Sequence, residues 1–194
     1  MRDVPRGRRP AMHGTLPLAT PRLLLRRFSP ADAPAMYTVW AGDAAVTRFL
    51  RWQPHKSAAE TRSLLEAWAA QYACGGFYNW AVVRRADGVL MGAIGAVPAE
   101  DGAGLLEPGY ALGRRYWGQG YATEALAAVV RYLFESEGQA ALACCHAHEN
   151  PASGRVMQKC GFRPVCNGVY HKYDGTAVPC RHYLLTKKEF QTQL

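Results

Sequence analysis

The chain has 194 residues, 49% of them hydrophobic and 20% charged, enough to bury a sizeable core as one domain and without the bias of disordered, fibrous or disulfide-stapled chains. No apolar run approaches the ~20 residues of a membrane span, and Leu16–Leu25 is broken by Pro17, Pro21 and Arg22, so it is neither a signal core nor an anchor. The formal charge is +8, of which residues 1–14 (Arg2, Arg6, Arg8 and Arg9 against Asp3) carry +3 and the remainder +5. A moderately basic body suits an anionic ligand or an acidic partner. The aromatics fall at core-like periodic positions rather than along a basic stripe, which argues against nucleic acid as a partner. Cys74, Cys144, Cys145, Cys160, Cys166 and Cys180 lack the dense spacing of a disulfide framework and read as reduced thiols. The expected setting is therefore the cytoplasm, with no membrane partner.

Residues 1–14, rich in arginine and proline, read as a disordered basic tail in which Met12 offers an alternative start. Residues 15–194 read as one domain. Arg22–Arg27 is the first strand, followed by helical segments at Ala31–Ala41 and Ala58–Tyr72. Ser57 with Glu60 three residues later makes a capping box for the second. Trp80–Arg84 and Val89–Val97 form a hairpin around Asp87-Gly88, with Gly92 and Gly95 marking a bulge or a close backbone approach. Glu107–Leu112 is the next strand, and a helix follows on Ala125, Leu126, Val129, Val130 and Leu133, ending at Gly138. Ala140–Ala147 is a buried strand, Asn150–Cys160 a short helix and Arg181–Thr186 the closing strand, while Val165–Cys180 fits no single pattern. Helices interleaved with a mixed, mostly antiparallel sheet make an α+β, three-layer domain without internal repeat.

Between the strand at Glu107–Leu112 and the helix after it stands Gly109-Tyr110-Ala111-Leu112-Gly113-Arg114-Arg115-Tyr116-Trp117-Gly118-Gln119-Gly120-Tyr121-Ala122-Thr123-Glu124-Ala125. Such a loop presents bare backbone N–H groups at the positive end of a helix, a seat for a phosphate or pyrophosphate. Gly113 and Gly118 have P-loop spacing, but Gln119 and Gly120 stand where lysine and a hydroxyl belong. Gly118-Gln119-Gly120-Tyr121-Ala122-Thr123 likewise places threonine at the third glycine of a dinucleotide fingerprint.

Arg115-Tyr116-Trp117-Gly118-Gln119-Gly120 resembles the R/Q-x-x-G-x-G/A pyrophosphate loop of the GNAT superfamily of acetyl-CoA-dependent N-acetyltransferases. The residues around it resemble the ribosomal-protein N-terminal acetyltransferase branch. A second block, Asn150-Pro151-Ala152-Ser153 with Met157, Lys159 and Gly161-Phe162, resembles the N-x-x-S helix and K-x-G-F exit of that branch. The resemblance runs from about Thr20 to Phe190. It implies one GNAT-like domain, acetyl-CoA as cosubstrate and an amine acceptor. It places Arg115, Tyr116, Trp117, Gly118, Gln119, Gly120, Tyr121 and Ala122 at the pyrophosphate. The pantetheine arm would lie between Glu107–Leu112 and Ala140–Ala147, with backbone hydrogen bonds from Ala111, Leu112 and Gly113.

Two catalytic residues are expected. Glu107, on the strand lining the cleft, is the candidate base, directly or through water, against the alternative of a solvated strand-end carboxylate. The resemblance places Ser153 beside the cofactor sulfur, against the alternative of a first-turn serine satisfying its own helix. Asn150 before Pro151 is a natural N-cap, and its amide can cap and still donate to a pantetheine carbonyl. Cys144, His146 and His148 share one strand face, but side chains spread along a strand rarely converge on one ion, so no metal is expected and a histidine of this pair is placed at the cleft. Tyr170, His171, Lys172 and Tyr173 read as a hairpin tip or acceptor rim. The favoured acceptor is a protein or peptide N-terminus, the alternatives a small amine or antibiotic, or a non-catalytic acyl-CoA-binding regulator. Oligomerisation is left open.

Overall fold

The structure is a computed structural model that describes residues 12–100 and 104–192; the predicted tail up to residue 11 lies outside them. Among the described residues eight strands form one sheet: β1 (Leu18–Ala19), β2 (Leu23–Arg26), β3 (Tyr78–Arg84), β4 (Leu90–Pro98), β5 (Leu106–Leu112), β6 (Ala141–Ala147), β7 (Arg163–His171) and β8 (Ala177–Thr186). Their order is β1-β2-β3-β4-β5-β6-β8-β7, antiparallel throughout except between β5 and β6. The helices are α1 (Ala33–Met36), α2 (Ala44–Thr47), α3 (Ala58–Gln71), α4 (Tyr121–Glu135), α5 (Pro151–Lys159) and α6 (Lys187–Gln191).

The two larger cores lie on opposite faces of the sheet, as expected for a three-layer α+β domain. On one face α4 inserts Ala125, Leu126, Val129, Val130 and Leu133 against Leu23, Leu25, Trp80, Val82 and Leu142. On the other, Trp40 and Leu65 pack with Phe28 against Ala81, Val83 and Leu90. Each large buried side chain contributes about 1.5–3 kcal/mol of transfer free energy, so both helical layers are anchored by burial.

Local chemistry explains most of the elements. The Gly88 turn (φ 71°) closes the β3–β4 hairpin, and the bulge predicted nearby falls at Met91, where the β3 register slips between Val82 and Val83. Gly92 and Gly95 are close approaches: a Cβ would stand 2.2 Å from the Ala111 carbonyl oxygen and 2.8 Å from that of Tyr78. Ser57 caps α3 through the Glu60 N–H at 3.2 Å, but the Glu60 carboxylate bonds the Lys56 N–H at 2.6 Å instead of closing the expected box. The first helical segment is irregular, running from α1 into a π-helical turn at Tyr37–Ala41. The ambiguous stretch Val165–Cys180 is a β-hairpin, β7 and β8.

The chain entering β1 is tied to the far end of α4. Glu137, its side chain fully buried, accepts from the Tyr78 hydroxyl at 2.9 Å, the Tyr132 hydroxyl at 2.5 Å and the His13 N–H at 3.1 Å. The Gly14 carbonyl also lies 2.6 Å from the Tyr132 hydroxyl, whose one proton the two acceptors share.

Candidate active site

β5 leaves the sheet at Gly113, whose missing side chain admits the Tyr37–Ala41 turn; a Cβ there would lie 2.5 Å from Val39 Cγ1. One turn at Arg114–Tyr116 leads to Gly118 (φ 73°) and Gly120 (φ 81°), both left-handed. The space at them is open: a Cβ at Gly118 meets nothing and one at Gly120 only Arg22 Nη2 at 3.4 Å. Backbone conformation, rather than crowding, is what demands glycine here. Gly120 is the N-cap of α4 and supplies no side-chain acceptor, so the first-turn N–H groups of Tyr121 and Ala122 face the loop without a side-chain cap. Gln119 donates to the Arg115 carbonyl at 2.7 Å, Trp117 to the Leu112 carbonyl at 2.7 Å, and the guanidinium groups of Arg84 and Arg115 both lie over the Tyr116 ring.

Arg22, which sequence reasoning passed over, braces this loop. Its guanidinium bonds Glu124 at 2.6 Å and the Gln119 carbonyl at 3.0 Å, and lies 4.4 Å from the centroid of the Tyr121 ring. Burial alone would raise the Glu124 carboxyl, but bonds from Thr20 and from the Arg22 N–H and guanidinium hold it below the usual range. The one carboxylate in the first turn of α4 is thereby neutralised.

β5 and β6 run parallel but share one bridging pair, Leu106 with Leu142, and then splay apart. Pro108 accounts for this: it follows the bridge with no N–H to continue the ladder, and its carbonyl accepts from the buried Cys144 thiol at 3.4 Å. Farther out the gap is crossed by Tyr110, whose hydroxyl lies 3.0 Å from both the carbonyl oxygen and Oγ of Ser153 on α5. The Gly113 N–H is bonded to Met91 of β4 at 2.9 Å, and by strand alternation Ala111 is committed to β4 as well. The free edge of β5 is therefore Tyr110 and the Leu112 N–H, which corrects the expectation that Ala111 and Gly113 offer backbone groups to the gap. Asn150 caps α5 as expected, accepting from the Ser153 N–H at 3.3 Å, and its amide NH₂ is not spent on that bond.

Glu107 occupies the opposite face of β5. Its Oε1 accepts from Arg51 at 3.3 Å and from the Cys145 thiol at 3.4 Å, with both charged side chains largely covered at 15% and 18% exposure. Arg51 also bonds Glu100 and the His171 carbonyl and lies over the Tyr170 ring. Burial works against its charge, but Glu107 and Glu100 more than offset that and keep it protonated. The Arg51 carbonyl accepts from the Tyr173 N–H at 2.7 Å, the Phe49 carbonyl from the Tyr170 hydroxyl at 2.8 Å, and Gln53 donates to Asp174 at 2.7 Å. The β7–β8 tip and the segment after α2 thus roof the face on which Glu107 stands.

The histidines are elsewhere. His146 lies on the α5 face, 3.1 Å from the Tyr183 hydroxyl, in a groove shared with His148, Gly154 and Arg181, while its neighbour Cys145 points to the face of Glu107. Cys144 is fully buried, and burial and the nearby Glu107 push the thiols of Cys144 and Cys145 well above their ordinary range. Neither is a thiolate nucleophile.

Comparison with known proteins agrees with this geometry. The model of the acetyltransferase (GNAT) domain family matches residues 22–163. The chain belongs to the GNAT acetyltransferase family. A Bacillus subtilis protein named as an uncharacterized N-acetyltransferase, YoaA, is 30% identical over 88% of this chain and 96% of its own length. Among solved structures, a "putative ribosomal-protein-serine acetyltransferase" from Vibrio cholerae superposes with a TM-score of 0.77 at 22% identity, covering 88% of this chain and 97% of its own. The spermidine N-acetyltransferase of Vibrio cholerae, solved with CoA and spermine, gives a TM-score of 0.73 at 16% identity and covers 89% and 99%. These two show the same fold. Within the described residues of this GNAT acetyltransferase no helix is long and apolar enough to cross a membrane.

Proposed function

We propose that this acetyltransferase moves the acetyl group of acetyl-CoA directly to a primary amine, with the α-amine of a protein or peptide N-terminus as the favoured acceptor. The observation that carries the reading is one gap, opened by Pro108, with an uncapped helix N-terminus at its mouth and a carboxylate on the far face. The cosubstrate suits what surrounds the gap. Gly118, Gly120, Tyr121 and Ala122 offer N–H groups to a pyrophosphate, Arg115 and Gln119 line its approach, and Tyr116 and Trp117 shape the loop. Tyr110 and Leu112 present a strand edge to the amides of pantetheine, and Asn150 has an amide donor to add.

Acetyl-CoA supplies an activated acyl thioester. The amine nitrogen forms the new C–N bond, the C–S bond breaks with its electron pair on sulfur, Glu107 takes the amine proton directly or through water, and the sulfur is finally protonated from solvent. Ser153 is assigned to the sulfur and Glu107 to the amine. An α-amine near pKa ~7.8 needs little help at neutral pH, whereas lysine near ~10.4 starts several kcal/mol behind. The roof over Glu107 favours a slender acceptor, which suits an extended N-terminus and also keeps small amines and antibiotics as the second reading. Six free cysteines support a reducing, cytoplasmic setting. The test is CoA release, corrected for hydrolysis, over a panel of N-terminal peptides, lysine peptides and small amines. Release with no amine in the panel would sink the reading in favour of an acyl-CoA-binding regulator.

A further inference from the structure

Tyr110 and Ser153 meet where β5 and α5 face each other across the gap, 43 residues apart in sequence. Ser153 Oγ is not spent on its own helix, because the cap of α5 is the Asn150 side chain. Its partner is the Tyr110 phenol, which at 3.0 Å can serve either the Ser153 carbonyl or the Ser153 hydroxyl. A phenol has one proton. With that proton on the carbonyl, Tyr110 can only accept from the Ser153 hydroxyl, whose own proton is then occupied. With it on Oγ, the Ser153 proton is released toward a third group, and the chain of two hydroxyls polarises in that direction. An anion arriving beside Ser153 selects the second arrangement.

We propose that Tyr110 is a positioning residue that holds and polarises the Ser153 hydroxyl as a hydrogen-bond donor to the departing thiolate. The inference rests on the acetyl-CoA reading above. Tyr110 keeps its own proton, since burial holds its hydroxyl well above the ordinary tyrosine range; the pair lends hydrogen bonds and transfers no net charge. Gly109 beside Tyr110 leaves open space on the other face of the strand, so the phenol is aimed by the strand's alternation and not by crowding.

The test uses CoA itself. The thiol of CoA bound to the full-length protein is titrated by the ultraviolet absorbance of its thiolate, in wild type, Tyr110→Phe, Ser153→Ala and the double variant, with calorimetric CoA affinity and thermal melting alongside. Tyr110→Phe should leave CoA affinity within about twofold, raise the apparent pKa of the bound thiol toward that of free CoA, and lower kcat roughly tenfold, the scale of one hydrogen bond to a charged group. In a Ser153→Ala background it should change neither quantity further. A wild-type thiolate titration in Tyr110→Phe, or an undiminished effect without Ser153, would overturn the proposal while leaving the acetyl-CoA reading intact. Failure of wild type to bind CoA would overturn both, and is told apart by the calorimetry alone.

Discussion

Replacing Gly120 by valine tests the loop assignment most directly. At φ 81° an L-residue costs about 1–2 kcal/mol, and a β-branched one lies toward the upper end. The structure adds little to this, because the nearest atom to a new Cβ is the flexible Arg22 Nη2 at 3.4 Å. For a chain of this size each kcal/mol shifts the midpoint by about 2–4 °C, so melting should fall by roughly 4–8 °C. The binding effect is separate. If the loop relaxes to negative φ, the N–H groups ahead of α4 turn away from the ligand, and losing one or two hydrogen bonds to phosphate at about 1.5–3 kcal/mol each weakens CoA binding on the order of 100-fold. Gly88→Val is the control. It has the same hand (φ 71°), equally open space and no place in the gap, so it should lose comparable stability and no CoA affinity. Calorimetry showing CoA binding unchanged in a folded Gly120→Val protein would refute the assignment, and an equal loss in Gly88→Val would trace the effect to global stability.

Asn150→Ala should cost about 1 kcal/mol of stability for the lost cap and also raise the acetyl-CoA KM; melting beside steady-state kinetics separates the two, and a loss of stability alone would leave Asn150 a cap and nothing more. Glu107→Gln should depress kcat/KM for the amine while leaving CoA affinity nearly unchanged. In wild type, kcat/KM for an α-amine should rise with pH and level near ~8, whereas a lysine acceptor should still be climbing there; a fully active Glu107→Gln would exclude it as the base. Glu124 tests the brace on the loop. Its carboxyl sits below the ordinary value of 4.5 in the folded chain, so its stabilisation is present above that value and is lost as pH falls through the lowered one. Glu124→Gln should therefore flatten the acid limb of a melting-versus-pH profile by no more than about 1 kcal/mol, and an unchanged limb would mean that Arg22 holds nothing.

What could be read in advance was what is written locally. The glycines ahead of α4 and the helix after them are set by φ requirements and a short period, both visible in a dozen residues, and Asp87-Gly88 specifies its hairpin in the same way. β7 escaped because nearly its whole length is exposed on both faces, from Arg163 through Asn167, so no in–out alternation marks it as a strand. The π-helical turn at Tyr37–Ala41 carries the same residues an α-helix would. The braces of the site were invisible for a different reason: Arg22 reaches Glu124 across 102 positions and Arg51 reaches Glu107 across 56. Only a fold brings such pairs together, and an arginine in a charged chain carries no local mark of its partner.

The division of labour proposed for the site follows from parity on a single strand. Tyr110 and Glu107 are three residues apart on β5, so their side chains must leave on opposite faces: one meets α5 and Ser153, the other meets Arg51 under the hairpin roof. In a continuous sheet those faces would be sealed from each other, and a group bound on one could not reach a group bound on the other. The seal fails where β5 and β6 stop pairing, and they stop at a residue with no N–H to give. Pro108 lies between Glu107 and Tyr110 in sequence and beside the opening in space, so the residue that ends the ladder also stands between the two groups that most need a passage through it. On the proposed reading, cofactor and acceptor approach from opposite sides of the sheet and meet without either element having to move. That arrangement is already specified by Glu107-Pro108-Gly109-Tyr110: a carboxylate, a missing donor, an absent side chain and a phenol.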